Sequence, residues 1–215
     1  MFEYLCANGK TRQAERVFRQ LMKIGAQDPP SYRTLIMGHC REGSFKGGYE
    51  LLVLMLRREF VPDLETYKLL IDGLLKTETN KTEHSTDVVR LLFSCGLKDK
   101  AFVVVRLVYE NGYLVKMYEL VDFLCENRNL VDSAHRLVMF CLENNQMVNI
   151  RTCNRVTEGL CKHKRHSKAF SFFNELVEIG KHQELSCHLV LRNALEAAGK
   201  LKEVRFVLKR MAMFR

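Results

Sequence analysis

Proline is scarce in this 215-residue chain: Pro29, Pro30 and Pro62 are the full set, so long stretches are free of the residue that breaks helices. Uninterrupted apolar runs are short, and none approaches the ~18 residues that a membrane span needs. The first residues show neither a secretory leader nor an Arg/Ser-rich transit segment. Instead Met1 leads straight into Phe2–Cys6, which reads as the tail of a structural unit, as expected of a fragment or a trimmed form. Catalytic signatures are missing too. There is no CxxC, GxxxxGK[ST], GxSxG or HExxH, which argues against zinc ribbons, thioredoxin-type sites, P-loops, serine hydrolases and zincins. His182-Gln183-Glu184 has the His-x-Glu spacing of zinc deaminases, but the Pro-Cys-x-x-Cys that completes such a site is absent. No enzymatic reaction, cofactor or metal is therefore expected.

What is present points to a folded, basic, helical protein. Hydrophobic residues make up 47% and charged residues 27%, a balance that argues against disorder. Lysine and arginine number 34 against 25 acids, a formal charge of +9 that favours an anionic partner, nucleic acid ahead of an acidic membrane. Of the eight cysteines, Cys6, Cys40, Cys125 and Cys161 each follow an apolar run near the end of a predicted helix. That placement suits small buried side chains in a reducing compartment.

The chain repeats itself. Ser31–Arg41 (SYRTLIMGHCR) aligns with Thr66–Lys76 (TYKLLIDGLLK) at an offset of 35: Tyr32 on Tyr67, Leu35 on Leu70, Ile36 on Ile71, Gly38 on Gly73 and Arg41 on Lys76. Each copy follows a turn, Asp28-Pro29-Pro30 or Val61-Pro62-Asp63, with Ser31 and Thr66 placed to cap the helix. Thr152–Lys162 (TCNRVTEGLCK) is a third copy, matching at Gly159, Cys161 and Lys162. A second motif, Ala14, Phe18 and Gly25, returns with the same spacing at Ala169, Phe173 and Gly180. Each unit thus predicts two helices. Helix A buries one face, as at Tyr32, Leu35, Ile36 and Cys40; helix B, as at Lys168–Gly180, carries a stripe of Ala169, Phe172, Phe173 and Leu176. One such hairpin cannot bury its own apolar face, so neighbours must stack.

The units read as 1–28 (truncated), 29–63, 64–81 (degenerate), 82–116, 117–149, 150–184 and 185–215, a single array over 1–215. Between 64 and 116 the pattern predicts three helices, near 65–77, 85–95 and 98–111, as though one helix B were lost. The polar segment Thr77–Thr86 (TETNKTEHST) is expected to be a loop.

A 35-residue period, the Tyr-x-x-Leu-Ile-x-Gly start, the Cys-Arg/Lys end of helix A and Val-Pro-Asp at a unit boundary resemble the plant-rich P-type class of the pentatricopeptide repeat family. A tetratricopeptide array would have a 34-residue period and usually a tryptophan, of which this chain has none. The resemblance implies an all-α fold, a right-handed α-solenoid of antiparallel helix pairs. It also implies a mitochondrial or plastid location and binding of single-stranded RNA, about one base per unit. Base choice in the family rests on the residue after the helix A aromatic position and on the last residue of the unit. Those pairs are Arg33 with Asp63, Thr86 with Lys116, Glu119 (or Tyr118) with Asn149, and Asn154 with Glu184; Lys68 and Leu189 stand without a clear partner. Only Thr86, Asn154, Asp63 and Asn149 are of the favoured types, never two in one unit, which implies a weak or degenerate base code.

Outside the apolar stripe helix A also carries Arg41, Lys76, Arg151, Arg155 and Lys162. If helix A lines the concave face, as the resemblance implies, these form a track for phosphates. Two other roles fit the same residues: a structural RNA- and protein-binding subunit of an organellar ribonucleoprotein such as the mitochondrial ribosome, or a protein-only scaffold. Lys162–His166 (KHKRH) is expected at an exposed turn between two helices.

Overall fold

The computed structural model describes residues 1–75, 80–144 and 146–212, with the side chains of 74 and 75 not described. Among the described residues there are thirteen helices and no strand: α1 (Phe2–Ala7), α2 (Thr11–Lys23), α3 (Pro29–Arg41), α4 (Phe45–Arg57), α5 (Leu64–Leu75), α6 (Lys81–Ser94), α7 (Lys98–Glu110), α8 (Met117–Glu126), α9 (Val131–Glu143), α10 (Ile150–Lys162), α11 (His166–Glu178), α12 (Leu185–Ala197) and α13 (Leu201–Ala212). The fold is all-α, a helical-repeat solenoid, and the chain divides into two compact units, Met1–Val115 and Lys116–Arg215. No described helix is long and apolar enough to cross a membrane.

Helix A begins where a carboxylate or amide closes its first turn. Asp28 Oδ1 accepts from the Ser31 N–H at 2.9 Å, Asp63 Oδ1 from the Thr66 N–H at 2.8 Å, and Asn149 Oδ1 from the Thr152 N–H at 2.8 Å. The caps are thus Asp28 and Asp63, not Ser31 and Thr66 as the sequence suggested. Ser31 and Thr66 lie three residues inside, where they offer the N–H that the cap satisfies. Pro29 and Pro30 fill the first two positions of α3, whose N–H groups would have no helical acceptor anyway. The turn between α10 and α11 bends through Lys164 at φ 60°, where the equivalent turn before α13 uses Gly199 at φ 71°.

In the first compact unit α3 packs on α1, α2, α4 and α5, so that helices of the A pattern stack on one another and each hairpin partner covers their flank. Tyr32, Leu35 and Ile36 are fully buried there, as are Ala14 and Phe18 of α2. In the second unit α10 occupies the same central place, against α8, α9, α11 and α12. Its neighbour α11 buries Ala169, Phe172, Phe173 and Leu176 completely, the stripe expected from spacing alone.

Helices α5, α6 and α7 are the three expected between 64 and 116. α6 and α7 form a hairpin, and α5 packs against both. The expected loop Thr77–Thr86 is helical from Lys81 onward. Ser85 and Thr86 donate to the carbonyls of Lys81 and Thr82 at 2.8 and 2.6 Å, so polar side chains are accommodated within the first turns. Residues 77–79 lie outside the described residues.

Stacking of A on A depends on a recurring small-residue contact. A Cβ on Gly38 would lie 2.8 Å from Cys6 Sγ, one on Gly73 2.7 Å from Cys40 Sγ, and one on Gly159 2.7 Å from Cys125 Sγ. The aligned glycines and cysteines of the repeat therefore meet across consecutive A helices. At Gly159 the clash extends to Cys125 Cβ at 2.8 Å, which cannot swing away, so a methyl would push α10 off α8. Gly159→Ala gains about 1 kcal/mol of helix propensity but should lose more to overpacking, typically about 1–3 kcal/mol. A lowered urea midpoint is expected; an unchanged or raised one would mean that this seam is loose.

None of the eight cysteines forms a disulfide, and Cys95 alone is exposed. Burial pushes the thiols of Cys125 and Cys161 up to about 12 and that of Cys153 up to about 11. Because the thiolate is the reactive form, one equivalent should react with Ellman's reagent at pH 8 in the native chain. The remainder should react only in denaturant. Two or more fast equivalents would contradict the packing described for helix A.

Candidate nucleic-acid interface

The residue after the helix A aromatic position and the last residue of the unit meet in one place. Arg33 of α3 puts Nη1 3.1 Å from Asp63 Oδ2, just before α5. Both side chains are about half exposed, at 45% and 54%. A small cleft of about 180 Å³ lies here, lined by Pro29, Pro30, Arg33, Met55, Val61, Asp63 and Thr66. The two carboxylate oxygens of Asp63 divide the work: Oδ1 takes the Thr66 amide and hydroxyl, and Oδ2 takes the guanidinium. Hydrogen bonds from Thr66, with a smaller contribution from Arg33, hold this carboxyl below its ordinary value. Asn149 repeats half of the arrangement, its Oδ1 receiving the Thr152 amide and hydroxyl.

Other base-facing candidates are placed differently. Thr86, expected to face a base, is fully buried, with its hydroxyl turned back onto the Thr82 carbonyl. Asn154 is 5% exposed, with Oδ1 lacking a hydrogen-bond partner. Its expected partner Glu184 is exposed at the start of α12, where it makes no side-chain cap. Lys68 is exposed and bound to Glu65 of its own turn at 3.0 Å. Lys116 precedes α8 and pairs with Glu119 at 3.4 Å. Arg151 lies 4.5 Å from the centre of the Tyr118 ring, a cation–π contact between α8 and α10.

The phosphate candidates fall into two groups. Arg41 is exposed at the end of α3, and Arg151 is exposed at the start of α10; among the described residues neither forms an ion pair. Arg155 and Lys162, by contrast, are held by acids of α8. Arg155 Nε lies 2.5 Å from Asp122 Oδ1, its Nη2 also binds Glu126, and Lys162 Nζ lies 2.6 Å from Glu126 Oε2. Arg155 is largely covered, with 15% of its side chain exposed, and it ties α10 to α8. Lys162 remains half exposed, but its charge is already matched. Lys76 lies outside the described residues.

Sequence reasoning missed the acids that neutralise this part of the track. A signal was available, because the residue after the helix A cysteine is basic at Arg41 and Lys162 but acidic at Glu126. Asp122, one turn earlier, completes the pair that receives the Arg155 fork.

Comparison with known proteins bears on this geometry. Residues 27–76 match the family model described as the PPR repeat family, and residues 151–180 match that of the PPR repeat. The chain is 60% identical over 246 residues to a chloroplastic pentatricopeptide repeat-containing protein of Arabidopsis thaliana, a match covering 90% of this chain and 34% of the relative. It is 45% identical over 75 residues to the large ribosomal subunit protein mL102 (rPPR5) of the same plant, covering 35% of this chain and 10% of that protein. The chain thus spans at most about a third of these curated relatives. Among solved structures, the crystal structure of the pentatricopeptide repeat protein PPR10 from maize superposes with a TM-score of 0.51 at 16% identity, over 99% of this chain and 33% of that one. That likeness is one of fold.

Proposed function

This chain belongs to the pentatricopeptide repeat family, and from that premise we propose that it binds single-stranded RNA along its A helices inside a plastid or mitochondrion. Its role there is to support RNA processing, stability, splicing or translation, with weak base discrimination and no reaction of its own. The observation that carries the reading is the Arg33–Asp63 junction. Stacked A helices bring the two family base-reading positions within 3.1 Å of each other, beside an open cleft. Arg41 and Arg151 supply cations free of carboxylate partners, and the formal charge of +9 favours a polyanion. Weak discrimination follows from the burial of Thr86 and from the arginine at position 33, which does not belong to the family's base-reading set. The plastid side of the location draws on the relative named as chloroplastic.

A test is direct titration of short single-stranded RNAs at two salt concentrations. Binding should weaken with a negative log–log slope of roughly 0.7 per phosphate contacted, and several unrelated sequences should bind within about tenfold of one another. Salt-independent or absent binding would remove the reading and leave a protein scaffold in its place. A second reading, a structural subunit of an organellar ribonucleoprotein, has its own support in the 75-residue match to a ribosomal protein. Preference for a folded RNA over a single strand in the same titration would favour it.

A further inference from the structure

In the first compact unit a cleft of about 380 Å³ opens between α2 and α4, with His39 of α3 in its lining. Three features converge on it. The N-terminus of α4 is uncapped, because Ser44 makes no side-chain hydrogen bond there. The first helical bond runs from Gly48 N–H to the Ser44 carbonyl at 3.2 Å, which leaves the N–H groups of Phe45, Lys46 and Gly47 without acceptors. Together with the helix dipole, such amides attract an anion.

The second feature is His39. Its side chain is 5% exposed, Nε2 lies 3.1 Å from Glu15 Oε2, and Nδ1 has no hydrogen-bond partner. A Cβ on Gly47 would collide with Nδ1 and Cε1, so it is the glycine that lets the ring seat Nδ1, without a hydrogen-bond partner of its own, against the first turn of α4. The third is charge. Arg12, Arg16 and Lys46 line the same cleft and, among the described residues, form no ion pair, whereas Arg19 and His39 already engage Glu15. Glu50 is the one acid in the lining without a counter-charge.

We infer that this cleft binds a phosphate group. The Lys46 and Gly47 amides, two guanidiniums and an ammonium offer more donors than the two oxygens of a carboxylate can accept, and they suit the oxygens of a phosphate. Nε2 carries the proton that Glu15 accepts. The site is built mainly from α2 and α4, both of the B pattern, with His39 of α3 behind it, and does not depend on RNA binding along the A helices.

The test is titration of the whole chain, ¹⁵N-labelled, with inorganic phosphate at constant ionic strength. The Lys46 and Gly47 amides and the His39 ring should shift saturably. Arg12→Ala with Arg16→Ala, both exposed, should keep the helical circular dichroism and weaken the response at least about tenfold. A parallel titration with a short single-stranded RNA identifies the source. Shifts of the same amides by RNA assign the phosphate to a nucleic-acid backbone, and shifts by phosphate alone assign it to a small molecule; either supports the site. No saturable shift with either probe, equal shifts with chloride, or an unchanged affinity in the double variant would overturn it.

Discussion

Phe173→Ala should destabilise the protein by about 3–5 kcal/mol, the usual cost of removing a buried ring from a packed interior. Phe173 is fully buried on α11, and its ring meets the His188 ring of α12 edge-on at 5.0 Å between centroids. Because the side chain joins two consecutive hairpins, its loss should loosen α11 against α12 as well as within its own pair. In a repeat array stability is a sum over neighbours. Amide exchange should therefore accelerate in α10 to α13 while α3 and α4 keep their protection. Uniform loss across the chain would mean that the array folds as one cooperative block. An unchanged denaturation curve would mean that Phe173 does not sit in the core.

Reversing the two helix A cations that lack carboxylate partners should have the largest effect on binding. Arg41→Glu with Arg151→Glu should weaken single-stranded RNA at least about tenfold and lower the salt slope by roughly 1.4, two single-strand contacts of roughly 0.7 each. The loss should be about equal for all sequences, since phosphates carry no base identity. Lys162→Glu should lower the slope less, because Lys162 is already matched by Glu126 at 2.6 Å. Lys209→Glu on α13 serves as the control on a helix of the B pattern, with little change expected. If Lys209→Glu hurts as much as the double reversal, the RNA does not run along the A helices. If Lys162→Glu hurts more, the ion pair with Glu126 opens to admit the ligand.

Much of the fold was legible because periodicity records burial. Tyr32, Leu35 and Ile36 recur 35 residues later as Tyr67, Leu70 and Ile71, and all six are buried. The glycine and cysteine of the motif were equally visible as letters, yet their meaning was not. Gly159 against Cys125 is a contact between units, and spacing within one unit says nothing about it. Electrostatics was the least legible. A count of lysines and arginines cannot reveal that Asp122 and Glu126 take up Arg155 and Lys162, since the two partners lie 29 to 36 positions apart. The start of α6 was misread for a local reason. Ser85 and Thr86 favour turns in isolation, but their hydroxyls bond back along the helix, which lets them be buried together with Val88 and Val89.

If the array binds RNA as proposed, the unit-ending residue both caps a helix and faces a base, which has a consequence for what such an array can encode. Asp63 and Asn149 each commit Oδ1 to the first turn of the next helix, which leaves the other atom outside the cap, Asp63 Oδ2 on the Arg33 guanidinium. For aspartate that atom is a second oxygen, an acceptor; for asparagine it is an amide nitrogen, a donor. The capping requirement thus fixes a small alphabet before any ligand arrives, and the choice left within it is a single binary symbol per unit, acceptor or donor. Glutamate at 184 makes no such cap, so that unit ends on a letter outside the alphabet. Selection for a stable helix and selection for a legible message act on opposite ends of one carboxylate. A unit can therefore change its symbol by exchanging one oxygen for one nitrogen without disturbing the helix it begins.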